Sequence, residues 1–429
     1  MIKKRETIKP PFAVYLSYDT KNTPVNKGNF STGQPIFNQL LSLLPKDTIA
    51  SIAFQLKADR YCKTFSTYEH LVTMLYAVLN GCMSLREVST GLLAWENRIE
   101  HLGIRFHPRR STISDANTRR NEQVFGKIYE ALVKKYAALL SDTRKKKKRK
   151  KVYIYDSTTI SLFQEILKGS GMSDIDGRRK GGIKVHTLLD SDLDVPTMIR
   201  YSAGAANDAQ FLKLVTLPAG SVVVFDKGYR DYKAYNQFTE QKITWVTRNH
   251  PHSVFKVTKQ RAVSDANRKA GVCSDEEIVL GHAHSKKATK VRARMIIYKD
   301  QETGKEFHFI TNNFKLSPLT VAEYYEKRWQ IEVFFKRIKQ NYSLQYFLGD
   351  NENAIKIQIW CALIADMLLK AIKKQSSCSM SFSNLSSFIR LHIMTYMNLK
   401  EFLKAPEKSL IAVLKSKKVK SNLPTLFSG

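Results

Sequence analysis

A run of eight basic residues, 144–151, separates two parts of the sequence that cannot fold in the same way. Before it, from residue 36 to about 140, apolar residues recur at helical spacing without the alternation of a strand. Directly after it, VYIYDSTTISLF alternates and is rich in β-branched and aromatic residues, as strands are. The run itself cannot pack in a core, so we interpret it as a solvated linker or a phosphate-binding strip.

The charge of the whole chain also indicates a polyanionic partner. Of the 429 residues, 70 are Lys or Arg and 38 are Asp or Glu, which leaves a net charge of +32. This surplus exceeds what solubility needs, and it favours nucleic acid over an anionic membrane surface. Hydrophobic residues make up 43% of the chain, which is enough to build cores and excludes a wholly disordered protein.

Neither the cysteines nor the apolar segments suggest export or membrane insertion. The five cysteines are far apart and form no Cys-x-x-Cys pair, which disfavours a disulfide framework and a zinc ribbon. The first residues lack a signal-peptide core, and the longest apolar run in the C-terminal third stops at Asp366, far short of a membrane span. We therefore expect a cytoplasmic protein with no membrane partner.

Three carboxylates that are distant in sequence are candidates for a catalytic site. Asp156 follows VYIY and Asp226 follows VVVF, and an acidic residue at the end of a buried strand lies at a sheet rim, where α/β ligand sites form. The third, Glu332, belongs to the predicted helix AEYYEKRWQIEVFFKRIKQ. One face of that helix, at successive spacings of 3, 4 and 7 residues, presents Tyr325, Arg328, Glu332 and Lys339.

Each of these patterns also has an ordinary structural explanation. Asp is common where strands turn, and Arg328 and Glu332 could form a simple salt bridge on an amphipathic helix. The combination favours chemistry, because two Asp and one Glu supply the hard oxygen ligands that Mg²⁺ and Mn²⁺ prefer. Two such ions, about 3.5–4 Å apart, can activate an attacking oxygen and neutralise the leaving oxygen of a phosphodiester.

The order of these residues resembles that of the DDE transposases of bacterial insertion sequences. It is similar in particular to the insertion-sequence family numbered four, whose signature is Y-x2-R-x3-E-x6-K, and here the second Asp lies in DKGY. HPRRSTISDAN with the helical block before it, and FLGDNENAIKIQIWCALIADMLL after the signature, are also similar to that family. The resemblance covers roughly residues 36–370.

The resemblance implies roles for individual residues. Two Mg²⁺ ions, which Mn²⁺ can replace, would be bound by Asp156, Asp226 and Glu332. The phosphates of DNA near the transposon end would be held by Tyr325, Arg328 and Lys339. Further candidates for contact with DNA, chosen for their charge and position, are Lys336, Arg248, Arg109 and Arg110.

The resemblance also implies a multidomain α+β fold with an RNase H-like α/β catalytic core that a β-rich insertion interrupts. We predict a flexible arm (1–35), a helical DNA-binding domain (36–143), the first part of the core (144–242), the insertion (243–315), the second, helical part of the core with Glu332 (316–372), and a helical C-terminal region with a basic tail (373–429).

The predicted function is a transposase that acts on double-stranded DNA. It would bind the terminal inverted repeats of its own insertion sequence, cleave the ends with metal ions and join them to target DNA. It would work as a homodimer on DNA, because two ends must be processed, in the nucleoid of a bacterial cell. Two alternatives stay open: a non-catalytic DNA-binding protein from a decayed element, and a structure-selective RNase H-like nuclease that cuts without joining.

Overall fold

The computed structural model describes residues 33–141, 150–161, 182–203, 209–281, 289–344 and 346–406. Nearly all of the predicted arm, most of the basic run and all of the basic tail lie outside these residues.

The N-terminal region is helical, in agreement with its apolar periodicity. Capping explains where its central helix begins and ends: Ser66 and Glu69 form a reciprocal capping box, and Gly81 closes the last turn at a φ of 72°. The helices are α1 (Ile36–Leu41), α2 (Lys46–Gln55), α3 (Thr67–Asn80), α4 (Leu85–Leu93), a 3-10 helix (Glu96–Leu102), α5 (Arg110–Arg119) and α6 (Gln123–Leu140).

A single nine-stranded sheet follows among the described residues. Its strands are β1 (Val152–Ser161), β2 (Gly182–Asp190), β3 (Val195–Ala203), β4 (Val222–Phe225), β5 (Thr244–Arg248), β6 (Phe255–Gln260), β7 (Val272–Leu280), β8 (Val291–Lys299) and β9 (Glu306–Thr311). Their spatial order is β3-β2-β1-β4-β5-β9-β8-β7-β6. Strands β1, β2 and β3 pair antiparallel, whereas β4 runs parallel to β1 and β5 runs parallel to β4.

The β-rich segment after residue 243 continues the sheet and does not form a layer of its own. Strand β5, which our boundary placed in the insertion, is the parallel partner of β4. Strand β9 then pairs antiparallel with β5, and β8, β7 and β6 extend the sheet outward. Short α9 (Asp265–Lys269) lies between β6 and β7. The strands themselves are where the alternation predicts them; their joining to the central sheet depends on pairing across the chain.

Helices cover both faces of the sheet. On one face, α7 (Ala209–Leu212) and α8 (Tyr232–Glu240) pack on the aromatic side chains of β1, β4 and β5. The other face carries α10 (Pro318–Glu326), α11 (Trp329–Asn341) and the N-terminal helices. Strands β1, β4 and β5 thus lie between two hydrophobic layers, so only their ends are accessible.

The long helix α12 (Glu352–Gln375) joins the N-terminal and C-terminal regions in one core. It packs on α3 and α6, and α13 (Phe382–His392) and α14 (Leu399–Lys404) follow it. The boundary that we predicted at residue 373 falls inside this helix, whose last buried apolar residue is Ile372 and whose polar end, Lys373 to Gln375, continues the same helix. Among the helices that the structure describes, none combines the length and the apolar character that crossing a membrane requires.

Candidate active site

The register of the sheet places Asp156 and Asp226 next to each other. Strands β1 and β4 pair in parallel up to Tyr155 and Phe225, and each Asp is the next residue. Our prediction that Asp156 ends its strand is wrong: β1 continues to Ser161, because its other edge stays paired with β2. Asp156 instead marks the point at which the parallel pairing with β4 ends, so its side chain is still at the rim.

The signature segment is two helices and not the single helix that its periodicity predicts. Helix α10 ends at Glu326 and α11 begins at Trp329, with a tightened turn between them. In that turn the Arg328 amide donates to the Tyr325 carbonyl at 2.9 Å, a bond of 3-10 type. The side chains of the signature nevertheless reach one site, because the backbone of the turn keeps helical dihedral angles.

The guanidinium of Arg328 lies among the three carboxylates. Its Nη1 atom is 2.7 Å from Glu332 Oε1 and 3.9 Å from Asp156 Oδ2. Its Nε atom is 3.9 Å from Asp226 Oδ1. The Arg328 side chain is only 11% exposed, so this positive charge is well shielded from water. Three acidic residues that are far apart in sequence therefore converge on one cation.

Hydrogen bonds orient the two Asp carboxylates. Asp156 Oδ1 accepts from the Ser157 amide at 2.8 Å and from the Tyr229 hydroxyl at 3.0 Å. Tyr229 belongs to the same DKGY turn that carries Asp226, so one short segment fixes both acids.

Asp226 accepts two hydrogen bonds, as Asp156 does, but it has a second cation nearby. It accepts from the Gly228 amide at 3.2 Å and from the Tyr325 hydroxyl at 3.1 Å. Arg248, at the end of β5, brings its Nη2 atom to 3.7 Å from Asp226 Oδ1 and lies over the Tyr325 ring.

These surroundings shift the pKa values of the two Asp residues in opposite directions. Burial raises the pKa of Asp156 above its usual value, and its hydrogen bonds offset this only in part. Burial acts on Asp226 as well, but the Gly228 amide, Arg328 and the Tyr325 hydroxyl together hold the pKa of Asp226 below its usual value. Burial also raises the pKa of Tyr325 to about 12, so its hydroxyl stays protonated and donates.

The other residues that we predicted to contact DNA lie in two parts of the structure. Lys339 donates to the Thr159 carbonyl on β1 at 3.0 Å, and burial lowers its pKa. Lys336 is exposed on α11, one turn beyond Glu332. Arg109 and Arg110 are exposed at the start of α5, in the helical layer, and not on the elements that carry the acids.

Two aromatic residues belong to the site although the sequence did not single them out. Tyr229 is buried, and its link to Asp156 depends on the β1–β4 register, which the sequence does not state. Trp329 is 61% exposed and follows Arg328, whose guanidinium lies over its ring. An exposed Trp inside a charged helical motif is a signal that could have been used, because Trp is seldom so exposed.

The donor chemistry suits divalent cations, but the geometry differs from a finished metal site. Within the described parts of the chain, no three Asp, Glu, His or Cys side chains form a group that could hold a metal ion as they stand. The three carboxylates converge on one positive charge, that of Arg328, whose Nε atom is buried without a hydrogen-bond partner. Hard oxygen ligands that converge on one positive charge fit Mg²⁺ or Mn²⁺ in place of that guanidinium.

Comparisons with known proteins show the family of the chain. The sequence profile of a family described as the Transposase DDE domain matches residues 147–368, which include all three acids. Residues 32–105 match a second family, which is described only as a domain of unknown function. In solved structures, the chain is similar to a piggyBac transposase synaptic complex with hairpin DNA, at 12% identity, a TM-score of 0.39, and coverage of 92% of this chain and 85% of the other. A TM-score this low does not establish a shared fold.

Curated relatives have names of the same kind. A protein of Sinorhizobium fredii that is named as a transposase is 30% identical and aligns over 64% of this chain and 74% of its own length. A protein of Geobacillus stearothermophilus, named as the transposase of an insertion sequence element, is 27% identical over 61% of this chain and 69% of its own. A similarly named protein of Synechocystis is 25% identical over 63% and 74%. The chain belongs to the DDE transposase family.

Proposed function

We propose that the protein binds the terminal inverted repeats of its own insertion sequence, cleaves the ends by phosphodiester hydrolysis and joins them to target DNA. The observation that carries this proposal is the convergence of Asp156, Asp226 and Glu332 on the guanidinium of Arg328. A structural salt bridge on a helix surface would need only one of these acids. Three carboxylates around one cation, at a strand rim of a chain with a net charge of +32, fit phosphoryl transfer on DNA.

The catalytic core in this proposal is RNase H-like and consists of β1–β5 with α10 and α11. Its support is the arrangement of three antiparallel strands followed by two strands parallel to the first. Strands β6–β9 form the insertion, and the helical layer of α1–α6 is the DNA-binding region. Because β9 of the insertion pairs with β5, a change in the position of β9 would also disturb Arg248 at the end of β5.

Asp156, Asp226 and Glu332 would hold two divalent cations. Bound there, Mg²⁺ or Mn²⁺ would activate the attacking oxygen and stabilise the charge on the leaving oxygen. The protein would contribute position: Tyr229 and Ser157 orient Asp156, while Tyr325 and Gly228 orient Asp226. Such fixed acceptors lower the cost of arranging the reacting groups.

The cations near the site would hold the DNA backbone. Arg328, once released from the carboxylates, would turn its guanidinium to a phosphate, for which its planar fork is suited. Lys336 and Lys339 lie on α11 with Glu332, and Arg248 lies at the end of β5 near Asp226; all three would add phosphate contacts. Arg109 and Arg110 would contact DNA from the helical layer. Two ends processed together call for a homodimer on DNA.

The deciding experiment compares Asp226→Asn with the wild-type protein on a duplex that carries the element's end. We expect the variant to bind this duplex in a gel-shift assay with nearly unchanged affinity, and to lose metal-dependent cleavage. Asp265→Asn is the matched control. Asp265 is exposed on α9, so this variant should cleave normally. Full cleavage by Asp226→Asn would remove Asp226 from the site and end the proposal.

The same assay separates the two alternatives. A wild-type protein that binds end DNA but does not cleave it with Mg²⁺ or Mn²⁺ would be the non-catalytic DNA-binding protein. A protein that cleaves but does not transfer the cut strand to a supercoiled target plasmid would be the structure-selective nuclease.

A further inference from the structure

The segment between α2 and α3 exposes two aromatic rings. Phe54, in the last turn of α2, is 86% exposed, and Tyr61, in the loop that follows, is 87% exposed. Single apolar side chains on a surface are ordinary. Here, however, two rings stand within one short stretch, which we name the α2–α3 loop and define as residues 54–65.

The charged side chains of the α2–α3 loop make its outer surface basic. Lys57, Arg60 and Lys63 are exposed, and the Arg60 guanidinium lies over the Tyr61 ring. The one acidic residue of the stretch, Asp59, has its Oδ1 atom engaged by Arg120 at 3.1 Å and by the Thr67 amide at 2.7 Å. The surface thus offers cations and aromatic rings, and its one carboxylate is paired with Arg120.

A buried arginine fixes the α2–α3 loop to the helical core. The Arg120 guanidinium, at the end of α5, donates to the Phe65 carbonyl at 2.8 Å as well as to Asp59, and its other edge meets His70. Phe65 itself is buried in the core. The exposed side chains are therefore displayed from a pinned loop.

The backbone of the loop is strained at two residues that carry exposed side chains. Lys57 and Tyr61 have φ values of 52° and 64°, in the left-handed region that non-glycine residues seldom adopt. Such conformations persist only where the surrounding structure imposes them, and they concentrate at ligand contacts.

We propose that the α2–α3 loop is a contact site for duplex DNA, separate from the acidic site and from Arg109 and Arg110. Lys57, Arg60 and Lys63 would bind phosphates, and Phe54 and Tyr61 would make apolar contacts with sugars and base edges. Charge complementarity selects DNA as the partner, since Lys57, Arg60 and Lys63 are exposed and the only acid of the loop is already paired with Arg120. This inference rests on the proposed function and deepens it, because it names the residues through which part of the helical DNA-binding region would contact DNA, within a stretch whose family match assigns no role.

A cysteine in the loop allows a direct test on the wild-type protein. Cys62 and Cys273 are exposed, whereas the other three cysteines are buried. The rates at which iodoacetamide modifies Cys62 and Cys273 are measured by mass spectrometry, with and without the end duplex at saturating concentration. We expect DNA to slow the modification of Cys62 severalfold and to leave Cys273, on β7, nearly unchanged.

Substitutions test the chemistry of the contact. Arg60→Glu should weaken binding of the end duplex about tenfold and lower the slope of log affinity against log salt by about one. Tyr61→Ala should weaken binding about tenfold without changing that slope, because the lost contact is not ionic. Lys400→Glu, at an exposed position of α14, makes the same change of charge and is the control. Circular dichroism verifies that each variant is folded.

Four results would overturn the inference. DNA that protects Cys62 no better than Cys273, or an equal loss of affinity in Arg60→Glu and Lys400→Glu, would show that the loop does not contact DNA. Protection of Cys62 by higher protein concentration alone would make the loop a contact between copies of the chain. A wild-type protein that binds no end duplex would refute the proposed function as well, which distinguishes that failure from the other three.

Discussion

At the scale of single residues, Arg328 balances the negative charge of the site. Its guanidinium supplies the positive charge that three neighbouring carboxylates need, and it occupies the place toward which all three point. The neighbouring Tyr229 and Tyr325 hydroxyls only orient acids that are already there. Divalent cations bound as proposed would therefore compete with Arg328 for the same oxygen atoms.

This competition predicts that Arg328→Gln binds divalent cations more tightly than the wild-type protein in the absence of DNA. Charges about 4 Å apart near a protein surface interact by about 4 kcal/mol, so a gain of about tenfold or more in Mn²⁺ affinity is expected. Titration followed by the paramagnetic resonance of free Mn²⁺ measures this affinity. Arg390→Gln, at an exposed position of α13, should leave it unchanged. Equal Mn²⁺ affinity in wild-type and Arg328→Gln proteins would show that the guanidinium does not compete.

At the scale of helices, a buried histidine links α3 to α5. His70 Nε2 lies 2.8 Å from Asn117 Oδ1, and its Nδ1 lies 2.9 Å from an Nη atom of Arg120. Because Arg120 can only donate, His70 is the neutral tautomer that carries its proton on Nε2. The same arginine holds the α2–α3 loop, so the protonation of His70 bears on that loop.

This arrangement predicts a loss of stability at mildly acidic pH. Burial, with a further contribution from Arg120, lowers the pKa of His70 from 6.5 to about 3. The unfolded chain takes up this proton below about pH 6.5 and the folded chain does not, so the stability is complete above that pH and falls as the pH decreases toward 3. One such proton changes the free energy of unfolding by about 1.4 kcal/mol per pH unit.

Urea unfolding followed by circular dichroism between about pH 6 and pH 5 measures this slope, a range in which most carboxyl groups stay ionised. In His70→Gln the free energy of unfolding should fall less steeply with decreasing pH. The difference in slope should correspond to one proton, whatever the absolute stability of the variant. Identical slopes in the two proteins would mean that His70 is not neutral in the fold.

The sequence predicts the secondary elements better than their connections. Strands such as Val222–Phe225 and Thr244–Arg248 are found where local alternation and apolar runs indicate them. Their union into one sheet rests on pairing between residues far apart, which no local pattern encodes. The break between α10 and α11 was also not predicted, because the apolar spacing continues across a turn that differs only in its hydrogen bonds.

The candidate site shows the same division. Asp156, Asp226 and Glu332 could be selected from the sequence because each follows a recognisable local pattern. The contribution of Tyr229 could not, since its hydroxyl reaches Asp156 only through the β1–β4 register.

At the scale of the whole molecule, the surplus of 32 positive charges predicts how binding depends on salt. Each phosphate that a basic side chain neutralises releases condensed counterions, so the affinity for DNA falls along a straight line of log affinity against log salt. The slope is about −0.9 for each phosphate contact on duplex DNA, and six to ten contacts cost roughly 10³–10⁵ in affinity between about 50 and 200 mM salt.

We therefore expect the affinity for the end duplex to fall steeply over this range, as measured by fluorescence anisotropy with a labelled duplex. A random duplex of equal length should show a similar slope at lower affinity, because phosphate contacts carry no sequence information and base contacts add little dependence on salt. The difference in affinity between the two duplexes would then measure recognition of the element's end. Affinity that stays flat from low to moderate salt would contradict a binding surface built from this charge, since affinity that comes from ionic contacts with phosphates must fall as the salt concentration rises.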